Sequence, residues 1–159
     1  MTHNWIININ SFSPPKDWFS LMIHSILSFG LLFIGGSIYL LFRPKSLLMF
    51  VWVDKLGLTA AIDKLRDEVS HISLSRTFTY CLPDGLWVAS YVILVHAIIP
   101  REHRDNLIFW SYLLPIIAVV FEFFQYLNLI PGVFDIFDLV SYIIPLIIYT
   151  IYLRYEKVL

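Results

Sequence analysis

Long apolar stretches separated by short polar breaks set the pattern of this chain. The first runs from about residue 17 to 42 and ends at Arg43-Pro44-Lys45. Ser13 followed by Pro14 and Pro15 reads as its helix start, because proline fits a first helical turn. The stretch exceeds the ~20 residues that a helix needs to cross hydrocarbon, so tilt or an exposed first turn is expected. Three more spans are predicted over about 82–99, 106–130 and 133–153. Pro83-Asp84-Gly85 opens the second, Arg101 to Asp105 form a charged turn after it, and Pro131-Gly132 separates the last two.

Residues 43–81 form the one long connection. Leu47 to Val53 is apolar but too short to span. From Thr59 the apolar residues Ile62, Leu65, Val69 and Ile72 follow helical spacing, with Asp63, Lys64, Arg66, Asp67 and Glu68 on the remaining surface. The pattern predicts an amphipathic helix over 59–72, lying on the membrane or against a soluble cytoplasmic partner. The expected fold is all-α. A single transmembrane domain over 1–159 holds about four spans and one interfacial helix.

Composition supports this reading. The chain is 58% hydrophobic and only 14% charged, against about 25% charged in soluble domains. So few charges cannot cover a watery exterior, and lipid must solvate much of it. A net charge of −1 gives no reason to expect a nucleic-acid partner. The lone Cys81 forms no intrachain disulfide and no metal cluster, and no cofactor motif is present. The polar first residues do not read as a secretory signal, and no lipidation motif is seen. The expected location is the cell (inner) membrane.

Basic residues weakly favour the face holding the 43–81 connection, here face X, as cytoplasmic: Arg43, Lys45, Lys55, Lys64, Arg66 and Arg76 against Lys16, Arg101, Arg104, Arg154 and Lys157. Whatever the orientation, four spans place Asp84, Glu122, Gln125, Asp135 and Asp138 at similar depth near face X. Ser111, Pro115, Ala118, Glu122 and Gln125 fall on one helical stripe; Asp135, Asp138, Tyr142, Pro145 and Tyr149 fall on another. Such polar stripes face a bundle interior. The candidate ligand-binding cluster is therefore Glu122, Gln125, Asp135, Asp138, Asp84 and Tyr142.

Helix capping is the plain alternative for Asp84, Asp135 and Asp138, which sit at helix starts. Glu122 is at a helix end, where the dipole disfavours an anion. It needs a proton, a cation or donors, with Gln125, Tyr142, Arg43, Arg76 and His71 as candidates. His24 and His96 are placed to approach each other far from face X, as hydrogen-bonded interior histidines rather than metal ligands. Gly30, Gly35, Gly36 and Ser37, with the Ser20, His24, Ser28 stripe, suit close packing within the chain or in a homo-oligomer.

Glu122-Phe-Phe-Gln125 and then Ile130-Pro-Gly-Val-Phe-Asp135-Ile-Phe-Asp138-Leu-Val-Ser-Tyr142 resemble the VanZ-like membrane proteins over roughly residues 82–145. Val133 stands where members commonly carry Arg. The resemblance implies a small multi-span fold and names no reaction. The leading functional expectation is a non-enzymatic module whose cluster binds a lipid headgroup, a proton or a partner, as a sensor or anchor subunit in envelope stress or phage defence. An oligomeric pore or proton-coupled transporter is the second expectation, and an envelope-lipid-modifying enzyme with Glu122 as acid/base the third.

Overall fold

The computed structural model describes residues 18–132 and 134–156. The expected start at Ser13-Pro14-Pro15, Lys16, Asp17, the span boundary at Val133 and Lys157 lie outside them. Among the described residues the chain is helical, with no strand. Its helices are α1 (Trp18–Phe42), α2 (Leu48–Lys55), α3 (Thr59–Glu68), α4 (Arg76–Tyr80), α5 (Leu82–Ile98), α6 (Arg104–Tyr126, led by a 3-10 turn Arg101–His103) and α7 (Ile136–Tyr155).

Three helical stretches are long and apolar enough to cross a membrane: Trp18–Phe42, Arg101–Tyr126 and Ile136–Tyr155. The expected second span, α5, is apolar but has 17 residues. Its place in the bundle explains its different surface. α5 packs on α1, α6 and α7, and it buries Val88, Ser90, Val92 and His96. The outer helices leave large apolar residues uncovered, among them Phe33, Phe109, Phe123 and Ile148. An outward apolar belt of this kind is stable only against lipid or another apolar surface.

Side-chain contacts fix the helix directions. His24 meets His96, Ser28 donates to Ser90 O at 2.8 Å, and Arg43 reaches Asp84, so α1 and α5 are antiparallel. Ser111 meets Tyr149 and Glu122 meets the Asp135 backbone, so α6 and α7 are antiparallel too. Two glycines permit the closest approaches. A Cβ at Gly35 would lie 2.8 Å from the Trp87 ring, and one at Gly85 would lie 3.0 Å from Ser141 O. Gly30 and Gly36, grouped with Gly35 from sequence, have nothing within 4 Å of a built Cβ and make no such contact.

Helix ends differ from the expected bounds for local reasons. α6 stops at Tyr126 rather than near residue 130 because Asn128 adopts φ 56. Leu129 N then donates to Phe124 O and Asn128 N to Gln125 O, the two bonds of a Schellman cap. α7 starts at Ile136, where Asp135 caps it by accepting from Phe137 N at 2.9 Å. The expected helix over 59–72 ends at Glu68, and helices α2 and α4 flank it. Its Arg66 is turned inward, against the expected outward charged face. The guanidinium donates to Leu40 O and Arg43 O, carbonyls at the end of α1 left without helical partners.

Candidate functional site

At face X the start of α5, the end of α6 and the start of α7 bring carboxylates together. Glu122 is only 6% exposed. Its Oε2 accepts one long bond, 3.4 Å, from Asp135 N. That contact offers little compensation for an anion at a helix C-terminus. Asp84 does not cap α5. It pairs instead with Arg43 at 3.6 Å. Arg43 is shared: it also donates to Thr79 O and Tyr80 O and lies over the Tyr39 and Tyr80 rings. Of the partners considered for Glu122, Arg43 is thus committed to Asp84.

The three aspartates separate cleanly. Asp135 is a helix cap. Asp84 is an ion-pair member. Asp138, in the first turn of α7, has its Oδ1 enclosed without a hydrogen-bond partner among the described residues. A buried acceptor left in this state carries its full desolvation cost. Tyr142 lies one turn further on, within electrostatic range of Asp84, Asp138 and Glu122. Gln125 is placed differently. Its side chain covers Gly132, where a Cβ would come within 2.5 Å of Nε2, so it packs on the α6–α7 turn. Gly132 has φ 140, a conformation that favours glycine.

Cys81, between α4 and α5, joins the cluster. Its sulfur and one oxygen each of Asp135 and Asp138 lie within 4.8 Å of one another. The residue is buried, 4% exposed. A thiol beside carboxylates can act as a weak donor to them. A cleft of about 350 Å³ opens beside this trio, lined by Arg76, Thr77, Cys81, Phe134, Asp135, Ile136 and Phe137. Sequence reading set Cys81 aside as a lone cysteine. Its position just before the span that begins with Asp84 was the available signal.

A second polar network occupies the opposite end of the bundle. His96 is buried and contacts Tyr149 Oη through Nδ1 at 3.2 Å, and Tyr149 Oη meets Ser111 Oγ at 3.0 Å. Glu156 lies 3.6 Å from His96 Nε2 and accepts from Arg101 at 2.8 Å and from Tyr152. His24 completes the group, its ring 5.8 Å from that of His96. The histidine approach was legible in the sequence; the roles of Glu156 and Arg101 were not.

No family model, curated protein or solved structure matches the chain.

Proposed function

We propose that this chain is a four-span membrane module that binds a cationic group at face X, in the pocket of carboxylates formed by Asp84, Glu122 and Asp138 with Asp135 at its rim. One observation carries the reading. Four carboxylates share a small volume, and among the described residues Arg43 is the one cation within salt-bridge distance of them. Charge left in excess in a low-dielectric setting demands a proton or a cation. A ligand ammonium entering by the adjacent cleft would supply it. A headgroup amine or a basic side chain of a partner has this chemistry.

The fourth crossing is part of this proposal. At 1.5 Å per residue α5 reaches about 25 Å, short of the ~30 Å hydrocarbon core. Cys81 alone separates it from α4 and keeps right-handed helical angles, φ −99 and ψ −36. The near-continuous rod from Arg76 to Ile98 suffices to cross. The likeness to VanZ-like proteins belongs to the same proposal and supports the layout over 82–145. A role as sensor or anchor subunit fits a module that binds without an evident nucleophile.

Calorimetric titration of the purified protein in nanodiscs with ethylammonium, at fixed ionic strength, tests the binding. Saturable binding that disappears in the Glu122→Gln/Asp138→Asn double variant is expected. Equal binding by both proteins would remove the cluster from the account.

A further inference from the structure

We propose that the cleft beside the carboxylate cluster receives a zwitterionic phosphoalkylammonium headgroup of a membrane lipid, with the ammonium toward Asp135 and the phosphate toward Arg76. The inference rests on the cation-binding reading above and specifies what carries the cation.

Its basis is a pair of opposite charges on the walls of one cleft. Arg76 and Asp135 both line it. They are not in salt-bridge contact with each other, and no carboxylate among the described residues lies within 4.0 Å of the Arg76 guanidinium. Asp135 spends Oδ1 on the Phe137 N–H, leaving its other oxygen without a competing bond among the described residues. A ligand that bridges the two walls must therefore present an anion to one and a cation to the other. A phosphate suits a guanidinium, which can bind two of its oxygens at once. Thr77 adds a hydroxyl donor on the same wall. Phe134 and Phe137 line the carboxylate side, and aromatic faces attract alkylammonium groups.

The position favours a lipid over a free phosphoamine. The cleft sits where α7 begins, and from there Phe137, Val140, Ile144, Ile147 and Ile151 run down α7 as one exposed apolar stripe. An acyl chain hanging from a headgroup in the cleft would lie along that stripe. A soluble phosphoamine would leave it unused. An anionic lipid with a glycerol headgroup would satisfy Arg76 but bring no cation to Asp135.

Binding of short-chain phosphatidylethanolamine, short-chain phosphatidylglycerol, phosphoethanolamine and ethylammonium to the detergent-purified chain tests this. The ethanolamine lipid should bind at least about tenfold more tightly than the glycerol lipid, as one lost charge-assisted contact implies. Arg76→Gln should weaken the ethanolamine lipid about tenfold and weaken ethylammonium far less. Asp135→Asn, which keeps a good helix cap, should abolish the preference between the lipids. Equal affinity for both lipids overturns the headgroup assignment. If ethylammonium still binds in that case, the cation reading survives; if ethylammonium also fails to bind, both fall. Phosphoethanolamine binding as tightly as the lipid overturns the assignment to a lipid.

Discussion

The two ends of this bundle meet the same problem to different degrees. Both place ionisable groups among apolar helices. At the far end most groups are partnered: Tyr149 bridges Ser111 and His96, and Glu156 Oε1 is shared by Arg101 and Tyr152, while Glu156 Oε2 is enclosed without a hydrogen bond among the described residues and faces His96 at 3.6 Å. At face X fewer are. Glu122 has one long contact, Asp138 Oδ1 has none, and Arg43 is divided between Asp84 and two carbonyls. A satisfied polar network holds helices together. Buried charge without a counter-charge costs stability until a proton or a cation balances it. The far end, where Arg101 offsets Glu156, is accordingly read as structure, and face X, where four carboxylates share Arg43, as the proposed binding site.

Substitutions can break this contrast. The largest effect is expected from Tyr149→Ala, which removes a buried ring packed on Tyr112, Tyr152 and His96 together with its hydroxyl. Losses of about 3–5 kcal/mol are usual for such truncations, and thermal unfolding in detergent should show a large drop. Tyr149→Phe keeps the ring and deletes the bridge between Ser111 and His96. It should cost about 1–2 kcal/mol. Asp138→Asn should behave in the opposite sense. It removes a charge from an anionic cluster, so the unliganded protein should melt unchanged or slightly higher, by no more than about 1 kcal/mol. A loss as large as that of Tyr149→Phe would mean that Asp138 holds the fold.

The smallest effect concerns Cys81. The residue is buried, 4% exposed, beside Asp135 and Asp138. Alkylation should be slow at pH 8 in the folded protein and fast after denaturation. Asp138→Asn should accelerate it, since the Asp138 carboxylate lies within 4.8 Å of the sulfur and repels a thiolate there.

Much of the layout was readable because helical periodicity does not depend on solvent. Ser111, Pro115 and Glu122 were expected on one inward stripe and are buried. Tyr149 closes the α7 stripe and is buried too. What the sequence left open was set by chain path. Arg43, Arg76 and Cys81 reach the cluster because α4 folds against α1 and α5, and no local pattern encodes that docking. Gln125 shared the stripe with Glu122, but the Asn128 cap brought Gly132 under its side chain and turned it to packing. Residues 59–72 were read as one outward-charged amphipathic helix. The end of α1 instead draws Arg66 inward, because unpaired carbonyls there need a donor.

The most direct measurement compares ethylammonium stabilisation in three proteins: the wild type, Glu122→Gln/Asp138→Asn and His96→Asn/Glu156→Gln. The shift in melting temperature at saturating ligand should be present in the wild type and absent in the first variant. The second variant should melt lower at the start and still gain the full shift. If the far-end variant loses the shift and the face X variant keeps it, the assignment of site and scaffold is reversed.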